Sequence, residues 1–257
     1  MSGPPADHRR IEDDERRFFA RYYAEQTYHP VGWRLRLERD ARLLRAAAPA
    51  GRLGRVLSVG CGDGQFELLL APWAERVTGL DLSPEAITAA EAARTAKGID
   101  NVEFRCLALG DLRWEESFDT IVCLAFLHHL PEADLLSFLA TARRHLRPGG
   151  LFYAQDPNVR GILRTVGRRL MGNRYDNYHS PHERELDPDE MVSRLREAGF
   201  GSVEVRFVDL MLIPALYLWK RGGAWPLRLA AAIDRAWCAS PFAPWASGFA
   251  VIARVGA

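Results

Sequence analysis

From residue 54 onward the chain alternates between strand-like and helix-like segments, and this alternation restricts the fold more than any single residue does. "RVLSVG", "RVTGLD", "NVEFRCLA", "FDTIVCLAF" and "LFYAQD" read as short strands. Between them lie the helical stretches "GQFELLLAPWA", "SPEAITAAEAARTAKG" and "PEADLLSFLATARRHLRPGG". The second has Ser83 as N-cap, Pro84 at the first helical position and Gly98 at its end, and the third stops at Pro-Gly-Gly. Strand and helix repeated in this order predict an α/β fold, a mostly parallel sheet with helices on both faces.

The ends differ from the middle. "DPDEMVSRLREAGF" predicts a capped helix, with "SVEVRFVDL" and "GFAVIARV" as late strands. Between those strands an apolar segment, about 211–247, holds four of the seven tryptophans. Ahead of residue 54, "RRIEDDERRFFARYYAEQ" and "WRLRLERDARLLRAAA" predict two amphipathic helices.

The first strand runs into "GCGDG", three glycines at alternate positions. A parallel sheet binds ligands at the carboxyl ends of its strands. Glycines there let the backbone approach a ligand and adopt positive φ, and the following helix start offers free N–H groups. Two ligand classes fit such a turn. A dinucleotide fold asks for G-x-G-x-x-G, whose third glycine position is filled here by Gln65. The shorter G-x-G-x-G spacing, followed by Asp81 closing "VTGLD", favours S-adenosylmethionine, with the carboxylate accepting the ribose hydroxyls.

Composition sets outer limits. The 257 residues are 48% hydrophobic and 26% charged with a net charge of +1, so the basic excess of a nucleic-acid binder is absent. Cys61, Cys106, Cys123 and Cys238 lack metal-ligand or disulfide spacing, which suits a reducing cytoplasm. The polar N-terminus lacks the apolar core of a secretory signal. "FVDLMLIPALYLW" is too short to span a bilayer and contains Asp209 and Pro214.

Over about residues 54–156 the chain resembles the class I S-adenosylmethionine-dependent methyltransferases of the broad small-molecule group. The resemblance is carried in order by "VLSVGCGDG", "GLDLSPEAI", "SFDTIVCLAFLHHL" and "LRPGGLFYAQDPN", and later by "LDPDEMVSRLREAGF". It implies a Rossmann-like, seven-stranded sheet whose last strand inserts antiparallel. With the residue pattern outside that stretch, the expected organisation is an N-terminal helical cap over 1–50 and a cofactor-binding domain over 51–257, with a basic helix about 158–174 and an apolar lid insertion about 211–247. Cofactor contacts are expected from Gly60, Cys61, Gly62, Gly64, Asp81, Leu82, Ala108, Leu109 and Leu124, and from Tyr22, Tyr23 or Tyr28 on an N-terminal helix closing over the site. Two positions depart from the family pattern. Ser58 stands where an acid is common, and Ala108 replaces the acid of the usual G-D-A, leaving adenine to backbone amides near Ala108 and Leu109 and to Leu82. Asp111 is a second candidate for that contact.

His128 and His129 follow the fourth strand, and Asp156 closes the fifth. Some family O-methyltransferases use such a His and Asp to deprotonate a hydroxyl, so His129 is the expected base, Asp156 its orienter and His128 the alternate. The plainer reading is that a histidine here shapes the cofactor pocket. No metal is expected. Arg160, Arg164 and Arg168 fall on one helical face, either solvated or meeting an anionic substrate group or anionic lipid. The tryptophan-rich insertion favours an apolar acceptor, a dimer interface or a membrane-facing lip. Together these features predict methyl transfer to a hydroxyl of an apolar or amphiphilic small molecule, such as a natural product, quinone or lipid-linked compound. The alternatives are C- or N-methylation, an inactive scaffold that keeps the fold and, more distantly, a nicotinamide-dependent dehydrogenase.

Overall fold

Gly54–Val59 (β1), Ala74–Asp81 (β2), Val102–Cys106 (β3), Phe118–Leu124 (β4), Leu146–Pro157 (β5), Ser202–Val208 (β6) and Gly248–Arg254 (β7) form one sheet. The computed structural model describes residues 10–11, 13–19, 29–112, 117–171, 180, 182–219 and 221–256. Strand order is β3-β2-β1-β4-β5-β7-β6. β1 to β5 pair in parallel, and β7 runs antiparallel between β5 and β6. The expected mostly parallel, seven-stranded sheet with an antiparallel last strand is therefore what forms. The order reverses between β1 and β4, so their carboxyl ends open a crevice where ligands bind in such sheets.

The helices are Pro30–Ala47 (α1), Gln65–Leu70 (α2), Pro84–Ala96 (α3), Glu132–His145 (α4), Ile162–Met171 (α5), Pro188–Glu197 (α6), Leu212–Leu218 (α7) and Trp225–Cys238 (α8). α3 starts where Ser83 caps it, its hydroxyl accepting from the Ala86 amide at 3.2 Å. α4 buries Leu135, Phe138, Leu139 and Ala142, the i, i+3, i+4, i+7 stripe of a helix lying on a sheet.

Period-two alternation sends the strands' side chains to two cores. Leu57, Val59, Ile121, Cys123, Phe152 and Ala154 pack on the face shared with α4 and α6. Val56, Val122, Leu151 and Tyr153 pack on the other face, with Leu37, Ala41 and Leu44 of α1. The same alternation continues into the site, setting Gln155 toward α1 and Asp156 toward the opposite face.

The apolar segment before β7 folds as α7 and α8, joined by Leu212, Leu216, Leu227 and Ala230 and backed by Trp33 and Leu35 of α1. Asp234 of α8 ties the pair together by accepting the amides of Met211 (2.6 Å) and Leu212 (3.1 Å) at the start of α7. Trp225, Leu229 and Ile233, four residues apart, remain exposed on α8. No helix among the described residues is long and apolar enough to cross a membrane.

Candidate active site

At the switch point a cavity of about 1060 Å³ opens between the glycine turn, the ends of β2 to β5, α1, α5 and α7. This is at the top of the roughly 300–1,000 Å³ range of small-molecule pockets and leaves room for a cofactor and an acceptor together.

The glycine turn forms one wall. Gly60 has φ of 74°, and a Cβ on it would stand 2.6 Å from the Phe126 ring, so only glycine fits. The amides of Gly60 and Cys61 both donate to the Leu80 carbonyl at 2.8 and 3.0 Å. Asp81 locks the turn further: Oδ2 accepts from the Gly62 amide at 2.8 Å and Oδ1 from the Ser83 amide at 2.9 Å. Burial raises its carboxyl above the usual aspartate range, against the pull of those amides. Asp81 thus borders the cavity and also holds the loop that shapes it, a second duty the sequence does not reveal.

Gly64 is placed differently from its neighbours. Gly60, Cys61, Gly62, Asp81, Leu82, Ala108, Leu109 and Leu124 all border the cavity, but Gly64 turns behind the loop. Its φ is 73°, and a Cβ would lie 2.4 Å from Phe104 Cζ and 2.8 Å from Ala90 Cβ. Gly64→Ala is therefore expected to cost about 2–4 kcal/mol of folding stability, from a left-handed backbone plus overpacking, read as a lowered midpoint in urea unfolding. Asp111 also borders the cavity, on the turn Leu109–Asp111. Tyr22, Tyr23 and Tyr28 lie outside the described residues. The helical residues 13–19 instead bring Glu15, Phe18 and Phe19 to the cavity wall.

The histidines are paired differently from the sequence expectation. Asp156 Oδ1 lies 2.8 Å from His128 Nδ1 and also accepts the His128 amide at 3.2 Å. It orients His128, where the sequence reading gave it to His129. The reason is local geometry. Residues 127–129 form a 3₁₀ turn, in which successive side chains point about 120° apart, so only one ring meets the end of β5. His129 Nδ1 instead lies 3.1 Å from Glu15 Oε2 and 3.1 Å from Ser180 Oγ, whose hydroxyl donates to Glu15 Oε1 at 2.7 Å. The two rings sit 4.0 Å apart, centroid to centroid. Burial by itself would lower the His129 pKa. The Glu15 carboxylate, with Glu183 and Asp156 behind it, reverses this and raises it. Burial pushes the Asp156 carboxyl up to about 7, against the pull of the His128 amide and the His129 ring.

Three further features escaped sequence reasoning. Glu67 of α2 is buried at the cavity wall, its Oε1 accepting from the Ser58 hydroxyl at 2.6 Å, and burial pushes its carboxyl up to about 7. An acid inside the apolar run "QFELLL", opposite a strand with serine in the acid's place, was the available signal. Arg36 and Asp40 of α1 also reach the cavity, inside a buried network. Arg36 donates to Asp209 at 3.0 Å and Gln155 at 3.1 Å, and Tyr153 donates to Asp40 at 2.7 Å. Burial works to raise the Asp209 carboxyl, but Arg36 and Arg39 outweigh it and hold it below the usual range. The three arginines expected on one helical face are matched within the chain, Arg160 from the turn ahead of α5 and Arg164 and Arg168 from the helix itself. Arg160 meets Asp187 (2.8 Å) and Asp189 (2.6 Å), Arg164 meets Glu185 (3.1 Å), and Arg168 also meets Glu185.

The family model for the methyltransferase domain matches residues 56–150, which hold the glycine turn, Asp81 and both histidines. A ubiquinone biosynthesis O-methyltransferase of Chromobacterium violaceum is 30% identical over 162 residues, 61% of this chain and 68% of the relative. The chain belongs to the class I S-adenosylmethionine-dependent methyltransferases. A second O-methyltransferase of that name, from Xylella fastidiosa, is 32% identical over 156 residues, 59% of this methyltransferase and 62% of the relative. Among solved structures, the N-methyltransferase NodS of Bradyrhizobium japonicum with S-adenosylhomocysteine aligns with a TM-score of 0.55 at 19% identity, over 88% of both chains. The YcgJ protein of Bacillus subtilis aligns with a TM-score of 0.57 at 18% identity, over 86% of this chain and 99% of its own. At such identities the likeness is one of fold.

The methyltransferase fits its cofactor. The Gly60 cradle has no space for a side chain, Asp81 presents a carboxylate at the end of β2, and Leu82 and residues 107–111 supply a mostly apolar wall beyond it. S-adenosyl-L-methionine is thus the methyl donor and S-adenosyl-L-homocysteine the product, with a small molecule as acceptor.

Proposed function

We propose that this methyltransferase transfers the methyl group to a hydroxyl of an apolar or amphiphilic small molecule, a quinone precursor or similar phenol, with His128 as the base. The observation carrying this reading is the 2.8 Å pairing of His128 with Asp156 at the wall of a cavity to which Phe18, Phe19, Leu163, Ile213 and Tyr217 contribute apolar surface. The names of the two O-methyltransferase relatives point the same way. The cofactor, when bound, supplies a methyl already activated on a sulfonium. The protein's work is to align, exclude water and manage one proton. Asp156 fixes the His128 ring through Nδ1, and Nε2, 3.7 Å from the Glu183 carboxylate, is the nitrogen that takes the hydroxyl proton as the oxygen attacks. His129, when protonated, stabilises the anion developing on that oxygen, and its carboxylate neighbours, outweighing burial, favour the protonated form. In this assignment His128 takes the role expected of His129.

The pH dependence follows with a definite sign. The carboxylate that orients the base must be ionised, so kcat/KM should rise as pH climbs through about 7, where Asp156 loses its proton. It should fall again above the usual histidine range, where His129 loses the proton that its carboxylate neighbours hold. A rate profile on a catechol-type acceptor measures both limbs. A profile flat from about pH 5 to about pH 9 would remove the acid–base assignment.

A second reading has its own observation. Glu15 and Glu183 both border the cavity beside the histidines, and paired carboxylates suit a cationic amine. Turnover of an alkyl amine, cationic near neutrality until a carboxylate takes its proton, but not of the matching phenol would favour N-methylation.

A further inference from the structure

Glu67 is 1% exposed, yet only half of its carboxylate is used. Oε1 accepts from Ser58, whereas Oε2 has no hydrogen-bond partner among the described residues although the side chain lies in the cavity wall. Leaving a buried carboxylate oxygen unpaired costs at least about 1–3 kcal/mol, so such a group needs a donor that arrives with a ligand. Three acidic neighbours around the glycine turn and α1 are already engaged. Asp40 receives Tyr153 on one oxygen and Arg39 on the other. Asp81 receives two amides, and Asp63 is half-exposed and bonded by Gln65. Arg36, a cation of the same wall, is committed to Asp209 and Gln155.

The sheet order says which part of the cofactor reaches Glu67. Asp81 closes β2 and residues 107–111 follow β3, so the ribose and adenine belong on the β2–β3 side. The remainder then crosses the end of β1 toward β4, past the glycine turn that leads into α2. The group at that end is the amino acid, whose ammonium is the natural partner of a buried carboxylate. We propose that Glu67 receives the α-ammonium of S-adenosylmethionine, with Ser58 holding the carboxylate in position. The acid missing from β1 at residue 58 is thereby supplied from α2 at residue 67. This inference rests on the cofactor site described above and adds the residue that recognises the amino-acid end.

The test is calorimetric titration of the full chain with S-adenosylhomocysteine and with 5′-methylthioadenosine, which has the nucleoside and thioether but no amino acid. Glu67→Gln, checked for folding by its thermal melt, should weaken S-adenosylhomocysteine about tenfold to hundredfold and leave methylthioadenosine within about twofold. Adding Ser58→Asp to that variant returns a carboxylate to the same place and should recover most of the loss. Equal weakening of both ligands, or undiminished S-adenosylhomocysteine binding, overturns the proposal while the cofactor site stands. A wild-type chain binding neither ligand overturns the cofactor site, and the Glu67 assignment with it.

Discussion

His128→Ala should lower kcat about 10²–10⁴-fold while S-adenosylhomocysteine affinity changes by less than about threefold, the pattern of a lost general base. The ring is 4% exposed and its Nδ1 is bound to Asp156, so the substitution removes the proton acceptor and leaves Asp156 without its partner. His128→Asn separates these effects: it keeps a hydrogen-bonding group toward Asp156, can take no proton, and should be nearly as slow. His129→Ala provides the comparison. It should slow turnover less and remove the alkaline limb of the pH profile, because His129 supplies charge to the oxygen and takes no proton. If His129→Ala instead falls by the larger factor, the base role returns to His129. Equal loss of turnover and cofactor affinity in His128→Ala would make that ring a wall of the cofactor pocket and nothing more.

Asp81→Ala should abolish measurable cofactor binding, a weakening of at least about 100-fold by calorimetry with S-adenosylhomocysteine. Two losses combine. A ribose hydroxyl loses its charged acceptor, and the Gly62 and Ser83 amides lose the oxygens at 2.8 and 2.9 Å that hold the glycine turn. Asp81→Asn distinguishes them. Its side-chain oxygen can still accept one amide, so part of the loop survives while charge recognition of the ribose is lost. Binding by Asp81→Ala within about tenfold of wild type would show that the glycine turn and the wall at 107–111 suffice without it.

These expectations draw on both levels of description, in different proportions. Fold and cofactor class are set by local signals: strand and helix periodicity, the Ser83–Pro84 cap, three glycines at alternate positions and an acid closing the next strand. Each depends on residues a few positions apart, where backbone sterics act directly on neighbours. Gly64 shows where this kind of reading ends. Its positive φ belongs to the motif, but its face toward Phe104 and Ala90 depends on how α3 lies against β3.

The order of elements, the crevice where strand order reverses and the glycine turn beside it are all legible in local pattern. Which charges meet is a matter of packing. Asp156 reaches His128 across 28 positions, Ser180 reaches Glu15 across 165, and Arg36 of α1 reaches Asp209 across 173. Glu67 and Ser58 are nine apart, but a glycine turn separates their elements, and neither helical nor strand period links them. Hydrogen bonds and ion pairs act over about 3 Å, whereas pattern in a chain extends only as far as one helix or strand. The identity of a partner across the sheet is therefore fixed by packing, which is why the two histidines, adjacent in sequence, hold different acids.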